Sequence, residues 1–365
     1  MAKIRHLFPG ANSCRGFYSF YDHIVPPQVQ NKVILKGGPG TGKSTFMKKL
    51  GEDLGARQID LEYHWCSSDN DSLDGIVAGA RQVCVLDGTA PHVVDPRFPG
   101  GVDRIINLGE FWDAAMLRQE RDNIQHLTES ISLCFSRAYN RLAESRLALG
   151  EWISYIQEAS DRQAIKRNIL ALTEDFVAGR TGSVQTPRHL FAGAISPGGI
   201  VAKVDSLLEP NFTMIAVKGS PGSGCGELMQ YATARLEMSG VYAEIFHCPF
   251  DPGKIDMILL PEHQAALVDF SALIIDYNSA WPTRKFKRFL DFDQFLDQSV
   301  LDSRAKGIYE SRERFEAGVR AAIGLIKNAK DNHDELESYY IPAMDFTRIE
   351  ETRQELLQEL LADLQ

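Results

Sequence analysis

Long hydrophobic runs, paired cysteines and an excess of basic residues are all missing from this sequence of 365 residues. No apolar run approaches the roughly 18 residues that a membrane-spanning helix needs, and the first residues lead into no signal-peptide core. The six cysteines include no C-x-x-C pair, as expected for free thiols in a reducing compartment. A net charge of −10 argues against nucleic acid or an anionic membrane as the main partner. We therefore expect a cytoplasmic protein without disulfides.

One glycine-rich stretch organises the rest of the chain. Gly37, Gly42, Lys43 and Ser44 fill the pattern G-x-x-x-x-G-K-[ST]. The stretch follows the apolar run 33–35 and precedes an amphipathic segment, which is the strand-to-helix context of a phosphate-binding P-loop. The residues predicted to bind a nucleotide are Gly37, Gly38, Pro39, Gly40, Thr41, Gly42, Lys43, Ser44 and Thr45.

The residue types in this stretch suit phosphate chemistry. Glycines without a Cβ let backbone N–H groups converge on an anionic phosphate. Lys43 would reach the β- and γ-phosphates, and the Ser44 hydroxyl would take one coordination position of Mg²⁺. We therefore expect ATP and Mg²⁺ as cofactors.

A second acidic position follows another apolar run. Residues 83–86 are apolar and end in Asp87, which is the form of a Walker B strand with its acid near Mg²⁺. Ser44 and Asp87 are thus the predicted metal ligands, and Lys43 and Asp87 are predicted to be catalytic. A short helix is also predicted between the polar turn at residues 67–72 and this strand.

The loop at residues 89–101 is rich in proline and glycine and follows the predicted Walker B strand. Such loops carry substrate-facing or γ-phosphate-sensing residues. His92, Asp95, Arg97 and Arg104 are the candidates, with His92 and Arg97 counted as catalytic. The alternative is a rigid surface loop whose side chains are solvated.

The chain repeats itself. Residues 5–11 recur as 188–194, and Lys36-Gly37 recurs as Lys218-Gly219 at an offset of 182. Four further residues keep that offset, namely Cys66, Asp69, Asp74 and Asp87, which fall on Cys248, Asp251, Asp256 and Asp269. Several matches in one register predict a tandem duplication.

The predicted fold class is α/β, with tandem duplicated P-loop NTPase modules at residues 1–184 and 185–365. Each is expected to be a mainly parallel sheet flanked by helices, with a C-terminal helical hairpin. The helical pattern runs over residues 111–177, with a break expected at Gly150. It returns over residues 312–365, with an interruption at Pro342.

The second copy has lost the chemistry of the first. Its loop, residues 219–226, keeps the glycines but has Cys225 where lysine belongs and Gly226 where serine or threonine belongs. A neutral thiol cannot replace an ammonium on phosphates, and glycine offers Mg²⁺ no oxygen. We expect no hydrolysis there. This half would pack against the first, supply it with a residue in trans, or bind a different ligand.

Four stretches resemble an uncharacterised bacterial family of tandem P-loop proteins, predicted ATPases or nucleotide kinases: residues 36–49, 87–92, 333–340 and 343–346. The resemblance covers essentially the whole chain and implies two P-loop modules and ATP binding, without naming a reaction. The chain departs from the family pattern at Gly224-Cys225-Gly226.

Three functions follow from these observations. The first is a Mg²⁺-dependent ATPase or nucleotide-driven switch with one competent site in the N-terminal half. The second is a small-molecule or nucleotide kinase in which loop 91–101 and the helices close over an acceptor. The third is a nucleotide-binding interaction module with little turnover. The expected partners are a nucleoside triphosphate and an acceptor or a protein; a homo-oligomer is left open, and membranes and nucleic acid are not expected.

Overall fold

The computed structural model describes residues 2–25, 29–80, 82–90, 93–182, 186–271, 273–281 and 284–364. The elements of the first half are the strands β1 (Ile4–Leu7), β2 (Gly10–Ser13), β3 (Gly16–Ser19) and β4 (Asn31–Lys36), the helix α1 (Lys43–Ala56), the strands β5 (Leu61–Trp65), β6 (Leu73–Ala78), β7 (Val83–Asp87) and β8 (Asp103–Asn107), and the helices α2 (Ala114–Gln119), α3 (Arg121–Glu158) and α4 (Arg162–Val177).

The second half has the same order of strands and long helices. Its elements are β9 (Arg188–Phe191), β10 (Gly193–Ser196), β11 (Gly199–Ala202), β12 (Thr213–Lys218), α5 (Cys225–Met238), β13 (Glu244–His247), β14 (Ile255–Leu260), β15 (Ala265–Asp269), α6 (Tyr277–Ala280), β16 (Arg288–Asp291), α7 (Gln298–Tyr340) and α8 (Phe346–Asp363).

Within the described residues, each half forms one six-stranded sheet and one two-stranded hairpin. The strand order is β1-β5-β6-β7-β4-β8 in the first sheet and β9-β13-β14-β15-β12-β16 in the second. The two orders are equivalent position by position. Each sheet pairs most of its neighbours in parallel, and β6 or β14 runs antiparallel to both of its neighbours. The α/β class is confirmed in this form, with two mixed, mostly parallel sheets flanked by helices.

Strand β6 replaces the short helix that the sequence predicted before β7. All six of its residues are buried, and it pairs antiparallel with both β5 and β7. A short apolar run cannot be assigned to helix or strand by periodicity alone, and the β-branched Ile76 and Val77 favour a strand. The predicted helix is wrong.

The helix boundaries also differ from those predicted. Helix α3 continues through Gly150 to Glu158, and the break lies where Asp161 caps α4 by accepting hydrogen bonds from Gln163 N and Ala164 N. A glycine inside a helix costs only about 1 kcal/mol, less than the packing of α3 contributes. Helix α7 begins at Gln298 rather than Arg312. The interruption at Pro342 is confirmed by the 3₁₀ turn Ile341–Ala343.

The long helices pair across the halves rather than forming a hairpin within each. Helix α3 runs antiparallel to α7, as the ion pairs Arg304–Glu158 and Arg314–Glu151 at successive levels indicate. The following helices are exchanged. Leu172 and Phe176 of α4 share a hydrophobic core with α5 and the second sheet, whereas Leu356 and Leu360 of α8 share one with α1 and the first sheet.

A buried charge network joins the two sheets. Arg5 contacts Glu62 at 2.9 Å and Glu244 at 2.5 Å, and Arg188 contacts Glu62 at 2.6 Å and Glu244 at 3.5 Å. These four residues, here called the seam quartet, come in equal numbers from both halves. The backbones of Phe8 and Phe191 exchange two hydrogen bonds beside them, at 3.1 and 3.0 Å. The halves therefore form one continuous body.

Candidate functional site

The first glycine loop, residues 37–44, lies between β4 and α1. Gly40 has φ +65° and Gly42 has φ +81°, a left-handed conformation that residues with a Cβ rarely adopt. The strand and helix predicted around this loop are both present. The Thr41 hydroxyl donates a hydrogen bond to Gly38 O at 2.8 Å and so closes the turn. Thr45 is exposed on α1, one residue beyond the loop.

The structure brings Lys43 and Asp87 together. Strands β4 and β7 are parallel neighbours, so Lys43, beyond the end of β4, lies at the same sheet edge as Asp87 at the end of β7. Lys43 Nζ is 3.7 Å from Asp87 Oδ2 and also donates to Gly37 O at 2.9 Å and Gly38 O at 2.8 Å. Asp87 Oδ1 accepts hydrogen bonds from the N–H and hydroxyl of Thr89, which fixes its orientation.

Ser44 faces the start of strand β6. Its hydroxyl oxygen accepts a hydrogen bond from Leu73 N at 3.0 Å. The next residue, Asp74, is buried, and burial, followed by the negative charge of Asp87, raises the pKa of Asp74 to about 7. Ser44, Asp74 and Asp87 thus place oxygen ligands of the kind that Mg²⁺ prefers at one sheet edge.

Sequence reasoning used Asp74 only as a landmark of the repeat and assigned it no role. The available signal was that the second copy also has an acid here, Asp256, paired with Asp269 in place of Asp87. Burial likewise raises the pKa of Asp256, with the charge of Asp269 adding to the effect. The acidic pair is therefore common to both sheets.

The candidates in loop 89–101 lie in different surroundings. Asp95 accepts a hydrogen bond from Lys36 Nζ at 3.1 Å, next to the first glycine loop. Arg97 is exposed, with its guanidinium over the Phe98 ring, and Arg104 forms an ion pair with Glu359 of α8 at 2.7 Å. Among the described contacts, neither guanidinium reaches the first glycine loop. His92 lies outside the described residues.

A segment from the far end of the chain covers the first glycine loop. Glu337, near the end of α7, accepts a hydrogen bond from Gly40 N through Oε1 at 3.0 Å. A Cβ added at Gly38 would lie 3.1 Å from the Tyr340 ring, and one added at Gly42 would lie 3.4 Å from the Phe346 ring. We call residues 337–346 the cover segment. Sequence reasoning missed Glu337 because no local pattern links it to a loop almost 300 residues earlier.

Glu337 also belongs to an acidic cluster on α7. His333, Asp334 and Glu337 offer ligand atoms within 4.8 Å of one another, the one such group among the described residues. His333 Nδ1 is 3.9 Å from Glu337 Oε1. All three side chains are at least partly exposed, so solvent can satisfy them without a metal ion.

The second glycine loop, residues 219–226, uses two of its N–H groups in hydrogen bonds to side chains of its own half. Ser220 N and the Ser220 hydroxyl donate to the two carboxylate oxygens of Asp293, at 2.6 and 3.0 Å. Gly219 N donates to the Ser271 hydroxyl at 3.1 Å. Burial raises the pKa of the Cys225 thiol well above its usual value, so it stays neutral at pH 7. This loop presents neither a cation nor free loop N–H groups at these two positions.

Comparisons with protein-family models, curated proteins and solved structures find no match to this chain. In the part of the chain that the structure describes, no helix combines the length and the apolar character needed to cross a bilayer.

Proposed function

We propose that this chain is an ATP-binding P-loop NTPase, a Mg²⁺-dependent ATPase or nucleotide-driven switch with one competent site in its N-terminal half. The observation that carries the proposal is the approach of Lys43 Nζ to Asp87 Oδ2 at 3.7 Å beside a glycine loop at a strand-to-helix junction. A phosphate-binding cation and a metal-binding acid are needed at one place in this chemistry.

Each residue has a separate role in the proposal. The backbone of residues 37–42 and the N-terminus of α1 would hold the phosphates, and Lys43 would neutralise their charge. The oxygens of Ser44, Asp87 and Asp74 suit Mg²⁺, which would polarise the terminal phosphate when bound. Thr89 orients Asp87 through two hydrogen bonds. The shared strand order of the two sheets supports the proposed duplication, with a degenerate second module.

The kinase alternative ranks below the ATPase. In a kinase, Arg97 and Arg104 would be the arginines that close over the acceptor, and their contacts with Phe98 and Glu359 do not support that role. The interaction-module alternative differs from the ATPase only in turnover, so one assay separates them.

The experiment is phosphate release from Mg·ATP by the purified chain, compared with Lys43→Ala and the control Lys48→Ala. Lys48 lies on the same helix, one turn beyond the loop, and its replacement removes the same charge. We expect acceptor-independent phosphate release by the wild-type and Lys48→Ala proteins and none by Lys43→Ala. Equal release by all three proteins would contradict the proposed site. Lys43-dependent binding without release would favour the interaction module, and release only with an added acceptor would favour the kinase.

A further inference from the structure

The cover segment occupies the place where the first glycine loop would meet a phosphate. Gly40 N donates to Glu337 Oε1 at 3.0 Å, and a Cβ added at Gly40 would lie 3.2 Å from the Glu337 carbonyl oxygen and from the Ile341 side chain. The contact is therefore direct, with no room for another group between Gly40 N and the carboxylate.

The cover segment is anchored on both sides. Asp113 N donates to Ala343 O at 2.8 Å, and Asp345 N donates to Phe111 O at 2.9 Å. Beyond it, α8 is held on α1 by the ion pair Arg353–Asp53 at 2.5 Å. Glu337 therefore reaches the loop from a fixed position and not as a freely moving surface side chain.

The chemistry of this contact matters because the acceptor is an anion. Backbone N–H groups of a glycine-rich loop bind phosphate oxygens, and a carboxylate oxygen uses the same hydrogen bond and the same sign of charge. A phosphate oxygen and Glu337 Oε1 cannot both occupy the position 3.0 Å from Gly40 N.

The second half offers an internal comparison. There, Gly222 is covered by Ile153 of α3, and a Cβ at Gly222 would lie 3.0 Å from the Ile153 carbonyl oxygen. Ile153 and Glu337 correspond at an offset of 184, the offset at which Glu151, Ser154 and Tyr155 match Glu335, Ser338 and Tyr339. Each loop is thus covered by one of the paired long helices α3 and α7, but only α7 presents a carboxylate to its loop. The carboxylate that the second loop contacts, Asp293, follows β16 and binds Ser220.

We propose that Glu337 is an autoinhibitory anion, through which the second half of the chain controls nucleotide access to the first glycine loop. This inference rests on the proposed function of that loop. A nucleoside triphosphate must displace Glu337 from Gly40 N, so nucleotide binding is coupled to movement of the C-terminal end of α7. The 3₁₀ turn Ile341–Ala343 separates the C-terminal end of α7 from α8.

The test measures the Kd of Mg·AMPPNP, a non-hydrolysable ATP analogue, by titration calorimetry on the full chain. Glu337→Gln keeps the shape and removes the charge, and Glu337→Ala removes the side chain. Glu335→Gln is the matched control, because Glu335 is exposed on the same helix and the charge change is identical. Charge-assisted hydrogen bonds are about twice as strong as neutral ones, so we expect Glu337→Ala to lower Kd about tenfold and Glu337→Gln, which can keep a neutral hydrogen bond, to lower it about three- to fivefold. Glu335→Gln should leave Kd within about twofold of wild type.

A second measurement does not depend on variants. Hydrogen exchange of the peptide covering residues 333–345 in the wild-type chain should become faster when Mg·AMPPNP is added, because displaced Glu337 no longer ties this segment to the loop. Slower exchange would contradict the displacement.

The outcomes separate this inference from the proposed function. Lys43-dependent binding with an unchanged or higher Kd in Glu337→Gln would overturn the autoinhibitory role and leave the nucleotide site standing. A higher Kd would make Glu337 a contact of the bound nucleotide instead. If neither the wild-type protein nor Glu337→Gln binds Mg·AMPPNP more tightly than Lys43→Ala does, both the autoinhibitory role and the proposed nucleotide site are overturned.

Discussion

The two glycine loops have the same place in equivalent sheets and opposite chemistry. The first joins Lys43, Ser44 and Asp87 at one sheet edge, whereas the second has Cys225 and Gly226 and donates two of its N–H groups to Asp293 and Ser271. The same strand order and backbone turn are therefore compatible with two different sets of loop side chains. Both loops use loop N–H groups internally, Gly40 N toward Glu337 and Ser220 N toward Asp293, so the difference between them lies in Lys43 and Ser44 against Cys225 and Gly226.

What the halves share is the framework. Both contribute an arginine and a glutamate to the seam quartet, and each lends its last helix to the sheet of the other. The second half therefore completes the first structurally even though its own loop lacks the phosphate-binding side chains.

The largest change in nucleotide affinity is expected from substitutions that make the two glycine loops alike at their lysine position. Lys43→Ala should weaken Mg·AMPPNP binding by about 100-fold or more, because the loop loses its cation. The double variant Cys225→Lys, Gly226→Ser should gain no binding, because Asp293 still accepts hydrogen bonds from Ser220. Titration of Lys43→Ala and of the double variant combined with Lys43→Ala measures both effects. A new nucleotide site in that combined variant would mean that the residues at positions 225 and 226 alone account for the difference between the two loops.

Replacing the seam-quartet glutamate of either half should lower the free energy of unfolding by the same amount. Glu62→Gln and Glu244→Gln each leave two buried arginine charges with a single carboxylate, so each should lower the free energy of unfolding by about 3 kcal/mol. Chemical denaturation of both variants measures the loss. Exposed Glu144→Gln, whose partner is Arg141 on the same helix, is the control and should cost less than about 0.5 kcal/mol. A loss from only one of the two glutamates would break the proposed equivalence.

The acids at the ends of β7 and β15 should differ in function. Asp87→Asn should raise the Mg²⁺ concentration that gives half-maximal phosphate release by about 10- to 100-fold, because a metal ligand is lost. Asp269→Asn should leave it unchanged, since Cys225 and Gly226 take the places of Lys43 and Ser44 beside that acid. Rates measured over a Mg²⁺ titration decide the point. Equal effects from the two variants would assign a metal to both sheets or to neither.

The smallest effect concerns pH. Burial lowers the pKa of His64 in the first half and of His247 in the second to about 4. The unfolded chain therefore binds these protons first, and each histidine contributes stability that is present above pH 6.5 and lost as pH falls toward 4. Asp74 and Asp256 have raised pKa values and act with the opposite sign, so the comparison with wild type is the measured quantity.

His64→Gln and His247→Gln should each reduce the loss of unfolding free energy between about pH 6.5 and 4 by about 1 kcal/mol relative to wild type. Exposed His126→Gln is the control and should follow the wild-type curve. Denaturant titrations at several pH values give these curves. Parallel curves for wild type and both buried-histidine variants would contradict the buried, neutral state of these side chains.

The sequence predicted what short-range patterns encode and missed what long-range packing decides. The strand before Gly37, the helix after Ser44 and the break at Pro342 follow from apolar runs, glycines and proline within a few residues. The continuity of α3 through Gly150 depends on packing along α7, and the exchange of α4 and α8 depends on contacts between distant segments. The approach of Asp87 to Lys43 was expected from parallel strands, whereas Asp74 and Glu337 required the fold.

The most direct test of the central claim is the number of nucleotides bound per chain. Titration calorimetry of the intact protein with Mg·AMPPNP should give one site per chain, and the same titration of Lys43→Ala should give none. Two sites per chain would show that the second glycine loop also binds nucleotide. A single site that survives in Lys43→Ala would place nucleotide binding away from the first glycine loop and contradict the account.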